Sequence, residues 1–153
     1  MDYEINQDTL AIIPKSYNSS KILEIDNEYD IDLNPYSVME HSCEYFGSSL
    51  EGRINGSKNM LGSIYKSPVL VEESRNIIFF PTKSPNLESN VWISLNNIDH
   101  YEKCENNTKI YFKNNKELVI DIPILSFENQ VLRATKLESV FRKRKFNKKD
   151  DLY

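Results

Sequence analysis

Glycine is scarce in this chain, four residues in 153, and all four (Gly47, Gly52, Gly56, Gly62) fall between His41 and Gly62. So little glycine excludes glycine-rich linkers and repeats, and its crowding marks one stretch where the backbone needs positive φ or close approach. Cysteine is sparser still: Cys43 and Cys104 cannot form the framework of a disulfide scaffold, and we expect both to stay reduced. No apolar run approaches the roughly 18 to 20 residues of a membrane helix. The N-terminus MDYEINQD lacks the basic start and apolar core of a signal peptide. A cytoplasmic protein without a membrane partner is the expectation.

What is present suffices for one core: 39% of residues are hydrophobic and 11% aromatic. The net charge of −4 hides a polarised chain. Residues 1–40 carry nine acids and two bases, whereas residues 126–149 carry eight bases and two acids. Such a chain can present a basic surface despite an acidic whole, and a basic surface fits either a solvated tail or a polyanion site.

Short runs rich in branched residues predict strands at 9–14 and 21–25, with an alternation through Tyr29, Ile31 and Leu33 that Pro35 should interrupt. A short helix is predicted from Cys43 to Leu50, capped by Ser42. Further strands are predicted at 69–71, 77–80 and 91–95, with Ile98 and Tyr101 continuing the sheet and the proline-bearing segment 82–90 forming a loop. Strands at 108–112 and 117–122 flank Asn114 and Asn115, which tolerate the left-handed conformation of a hairpin turn. Beyond Pro123 the period changes to that of a helix: Phe127, Val131, Ala134, Leu137 and Phe141 share one face, with Ser126 as the expected cap. The class is therefore α+β, a mainly antiparallel sheet of short strands packed against a C-terminal amphipathic basic helix, with the glycine-bearing stretch as a turn-rich insertion. We place one domain over residues 1–146 and a short frayed tail over 147–153.

Catalytic readings of these residues fail on chemistry. Gly47 to Arg53 has the glycine spacing of a phosphate-binding loop, but Arg53-Ile54 stands where lysine and a hydroxyl residue are needed to reach phosphate and magnesium. His41, Cys43, His100 and Cys104 are zinc-type ligands, yet H-x-C and H-x-x-x-C are unlike a zinc knuckle, so neither metal nor cofactor is expected. No acid stands behind a histidine to orient it and no paired carboxylates appear, so we expect no enzyme. The remaining site is cationic. Arg133, Lys136, Arg142, Lys143, Arg144 and Lys145 lie on the helix, followed by Lys148 and Lys149, and Arg53 with Lys58 forms a second patch. Clustered cations displace counterions from nucleic acid, and guanidinium groups enter the narrow minor groove of A·T-rich DNA.

Several short pieces occur together: Ser42-Cys43, FGSS at 46–49, Gly52-Arg53 and Gly56, FPT at 80–82, WIS at 92–94, and SFENQV at 126–131 with Arg133 and Thr135 beyond. In this order and spacing, from about Thr9 to Phe141, the chain resembles the competence transcription factor family, ComK. The resemblance implies a DNA-binding transcriptional activator of competence that reads paired A/T-rich boxes, chiefly through the minor groove, as a homo-oligomer. Longer members continue into a tail that an adaptor recognises for proteolytic control. A chain ending at Tyr153 resembles a short member without that tail, and for it a second expectation stands: an interaction module that modulates a longer relative through hetero-oligomers without binding DNA.

Overall fold

The central strands are buried on both faces, so their residues run apolar without alternation. β1 (Thr9–Ser16) buries Leu10, Ala11 and Ile12 in succession, and every residue of β5 (Ile77–Pro81) and β6 (Trp92–Ser94) is buried. With β2 (Ser19–Glu24), β3 (Glu28–Ile31) and β4 (Val69–Glu72) they form an antiparallel sheet ordered β3-β2-β1-β6-β5-β4. The computed structural model describes residues 2–62 and 65–150, the last four by their backbone alone.

One face of this sheet, through Ile12, Ile22, Val69, Phe79 and Trp92, packs on Val38, Met39 and Cys43 of α1 (Pro35–Tyr45) and on Leu50 of α2 (Leu50–Leu61). The opposite face, through Leu10, Leu70, Ile78, Phe80 and Ile93, meets Phe127, Ala134 and Leu137 of α3 (Ile124–Asp150). A second antiparallel sheet, β7 (Ile98–Cys104), β8 (Asn107–Phe112) and β9 (Glu117–Ile120), adds Ile110, Phe112 and Ile120 to that side. Met60 and Leu61, at the far end of α2, reach the same cluster. α2 thus passes along edge strand β4 from one face of the sheet to the other, covering an edge that would otherwise be open to pairing.

The α+β class and the antiparallel strands agree with the sequence reading, as do Asn114 and Asn115, both at φ 62°. Several local expectations are corrected. Ile98 and Tyr101 open a separate sheet instead of extending the first. Pro35 does not interrupt structure: it begins α1, where the missing N–H costs nothing, behind Asn34, whose side chain accepts from Ser37 N at 2.8 Å. Ser42 lies inside α1, with its Oγ accepting from Ile5 N at 3.0 Å.

The predicted helix across Cys43–Leu50 and the turn-rich insertion are replaced by two helices with a break between them. At the end of α1, Ser48 N donates to Cys43 O (2.9 Å) and Gly47 N to Glu44 O (2.9 Å), with Gly47 at φ +83°. This pair of bonds is a Schellman stop, and glycine supplies the left-handed residue that it needs. Ser49 then caps α2, its Oγ accepting from Gly52 N at 3.0 Å. A side chain at Gly52 would put its Cβ 2.9 Å from that Oγ, so this glycine makes room for the cap.

α3 starts at Ile124, earlier than the expected Ser126 cap, with Phe127 N already donating to Pro123 O at 3.1 Å. At 1.5 Å per residue it is about 40 Å long, and it continues to Asp150, into the segment expected to fray. Residues 151–153 of the expected tail lie outside the described residues.

Candidate nucleic-acid interface

The cations named from the sequence divide into two groups once their partners are known. Gln130 is the centre of the first. Its side chain is buried, and Nε2 donates to Pro81 O (2.7 Å) and Lys66 O (2.9 Å). Its Oε1 accepts from Arg133 Nη1 at 2.8 Å, and the same Nη1 reaches Tyr65 O at 3.2 Å. Arg133 therefore clamps the segment after α2 onto α3. Arg144 acts similarly one side of α3 further on, with Nη1 donating to Asn59 Oδ1 of α2 at 2.7 Å. Arg53 pairs with Glu73 at 3.0 Å and is only 20% exposed, and its Nε is buried without a partner. Lys145 turns back over the Phe141 ring, 5.8 Å from its centroid.

The second group faces solvent. Lys58, Lys136 and Lys143 are exposed and make no ion pair with any described residue. Arg142 is 58% exposed and touches Glu138 only loosely, at 3.9 Å, a surface contact of little energetic worth. Phe141 is the last described α3 side chain packed on the apolar core, so Arg142 and Lys143 stand beyond that core, beside α2 and the β4–β5 turn. The Arg144–Asn59 bond brings this end of α3 alongside Lys58 of α2. Lys148 and Lys149 lie outside the residues whose side chains are described.

Between the end of α3 and the β4–β5 turn is a cleft of about 380 Å³, walled by Phe141, Arg142, Lys145 and Phe146 on one side and Glu73, Ser74 and Asn76 on the other. Sequence reasoning overlooked two members of this neighbourhood: Glu73, which occupies Arg53, and Arg75, an exposed cation on the same turn. The signal was available, since EESRN joins two apolar strands and had to be an exposed turn.

The candidate zinc ligands are held apart by the large sheet. Cys43 is buried among the residues of α1 and Trp92, and burial pushes its thiol up to about 11, with Arg53 opposing and Glu44 adding to the shift. His100 and Cys104 belong to β7, on the side of the other core cluster. His41 contacts Glu4 at 3.5 Å, and His100 stacks on Tyr111 with ring centroids 4.3 Å apart.

Comparison with known proteins now adds to this geometry: the family of the ComK protein matches residues 1–146. The chain belongs to the ComK family. It is 34% identical over 146 residues to the competence transcription factor of Bacillus subtilis (strain 168), covering 93% of this chain and 76% of that relative. No solved structure matches. The chain is thus a ComK-like regulator, and several of the ComK-resembling pieces of its sequence have structural roles. FGSS is the stop of α1 and the cap of α2; WIS is β6. FPT ends in Thr82, which is buried and whose Oγ1 accepts from Val91 N at 3.1 Å, and SFENQV delivers Gln130. Among the described residues no helix is long and apolar enough to cross a membrane.

Proposed function

We propose that this ComK-family regulator binds double-stranded DNA at A/T-rich boxes, mainly through the minor groove and as an oligomer, from the cytoplasm. The supporting observation is the pair of exposed cations, Arg142 and Lys143, on the part of α3 that has left the core. Lys58, Lys136 and Arg75 extend the cationic surface. In this reading Arg133 and Arg144 serve chiefly to lock α2 and its following segment against α3, and Arg53 and Lys145 are held back by Glu73 and Phe141. Exposed cations near an arginine-rich helix suit a narrow, strongly negative minor groove, where sequence enters through groove width more than through base edges.

Fluorescence anisotropy of the purified chain on an A/T-box duplex and on a G·C-substituted duplex tests the reading. The A/T duplex binds more tightly, and the slope of log affinity against log salt falls by about 1.8 when Arg142 and Lys143 are both replaced by alanine, one counterion term for each lost phosphate contact. An unchanged slope removes these two residues from the interface. Failure on both duplexes at low salt leaves the other expectation, an interaction module acting through hetero-oligomers with a longer relative.

A further inference from the structure

Phe146 is a large apolar side chain that the fold does not use. It is 64% exposed and stands beyond Phe141, the last described α3 side chain that packs on the core. On a helix its same-face neighbours one turn back are positions 142 and 143, so the ring is straddled by Arg142 and Lys143, both exposed. The other two cations of this segment are exposed but engaged within the chain, Arg144 with Asn59 and Lys145 over the Phe141 ring. Arg142 and Phe146, with Phe141 and Lys145, form one wall of the open cleft that faces Glu73, Ser74 and Asn76, so the exposed rim of that wall is an aromatic ring between two positive charges. That combination suits a ligand with an apolar, stackable centre flanked by phosphates on both sides, which describes a base step of nucleic acid. Arg142 gives up only a loose contact with Glu138 to reach such a phosphate.

We infer that Phe146 is an apolar wedge that enters the DNA between two stacked bases while Arg142 and Lys143 hold the phosphates beside it. The inference rests on the DNA-binding reading above and adds a source of sequence preference to it. A wedge unstacks one step and kinks the duplex, at a cost that depends on the step. TpA steps unstack easily, whereas A-tracts are stiff, so a wedge seated at a step between A/T runs, whose narrow grooves remain to the cations, distinguishes A/T-rich sequences of identical composition without touching a base edge.

The test compares two duplexes of the same base composition, one with a TpA step at the centre of the box and one with that step absorbed into an A-tract. Affinity is read by anisotropy and bending by resonance energy transfer between the duplex ends. Wild type prefers the TpA duplex by about tenfold and shortens its end-to-end distance. Phe146→Ala loses both the preference and the bend, and Phe146→Leu, which still offers an apolar wedge, keeps most of each. Urea denaturation of both variants matches wild type, because the side chain lies outside the core. The wedge is overturned if wild type binds the duplexes but Phe146→Ala retains the same preference and bend. If wild type binds neither duplex at low salt, the DNA-binding reading itself fails and takes the wedge with it. Vesicles of phosphatidylserine and phosphatidylcholine complete the test: binding that requires Phe146 there, with unaltered DNA binding, assigns the ring to an anionic membrane surface and overturns the wedge.

Discussion

Replacing Gln130 by leucine, nearly the same shape without the amide, tests whether α3 is tied to the large sheet by a polar knot or only by apolar packing. The wild-type amide donates to Pro81 O, a buried contact, and to Lys66 O, a partly buried one. Leucine leaves both carbonyls without that donor. A buried acceptor left unpaired costs about 1–3 kcal/mol, and the partly buried one less, since water can reach it. Against this stands about 1 kcal/mol from burying the new methyl groups. The expected net loss is about 2–3 kcal/mol, which at a urea dependence of about 2 kcal/mol per molar lowers the midpoint by about 1–1.5 M. Trp92, the single tryptophan and fully buried, reports the transition by fluorescence. Gln130→Glu serves as a second probe. A carboxylate cannot donate to either carbonyl and gains only a closer pairing with Arg133, so it is at least as damaging as leucine. A midpoint within about 0.3 M of wild type for Gln130→Leu, well under the 1 kcal/mol of a single hydrogen bond, refutes the knot.

Further expectations concern the glycines, the thiols and one carboxylate. Gly47→Ala costs about 1–2 kcal/mol because its φ of +83° is strained for a residue with a Cβ, whereas Gly56→Ala, inside α2 with open space around the new atom, stabilises by about 0.5–1 kcal/mol. Opposite signs in a urea titration confirm the assignment, and a loss at both positions contradicts it. With a thiol reagent at pH 8, half-buried Cys104 reacts while Cys43, buried and with its thiol pushed up to about 11, waits for unfolding; equal labelling rates contradict this. Partial desolvation opposes ionisation of Glu72, but hydrogen bonds from Ser74 Oγ and from the N–H groups of Arg75 and Ser74 outweigh it and hold the carboxyl below its usual range. A depressed folded-state pKa means that the stabilisation is complete above the ordinary carboxylate pKa and disappears as pH falls through the lower folded value. The stability difference between wild type and Glu72→Gln therefore narrows over that acid window, and a difference independent of pH contradicts the account.

Periodicity exposed the strands and the buried face of α3 because each is set by the residues within it. Phe127, Ala134 and Leu137 are buried as their spacing requires. The second sheet was not legible, because Ile98 and Tyr101 have the pattern of any half-buried strand and only tertiary placement says which sheet they join. The FGSS break was readable in principle: glycine at a helix stop followed by a serine cap is a local signal, and reading the glycines as turns obscured it. Basic residues were the hardest. Lys143 and Arg144 are adjacent, chemically alike and both exposed, yet one has no ion-pair partner among the described residues and the other is bonded to Asn59 of another helix. The partners of Arg133 and Arg144 are a backbone carbonyl and neutral amides, which leave no trace in a charge pattern. Sequence thus located the cationic helix but could not separate its clamps from its free charges.

The pairing of β1 with β6 has a consequence in time. Ala11 lies opposite Ile93, so the centre of the large sheet joins segments roughly 80 residues apart, while β1–β2, β2–β3 and β4–β5 are each closed by short turns. Closing so long a loop is an entropic cost that local hairpins avoid, and it slows folding. At about 5–20 residues per second on the ribosome, β1 waits about 4–16 seconds for its neighbour to be made. Through that interval Leu10 and Ala11 lack one hydrogen-bonded side and the covering layer of α3 and the second sheet, while α1 is already made for the opposite face, so the nascent amino-terminal meander exposes apolar surface and an open edge that invite a chaperone.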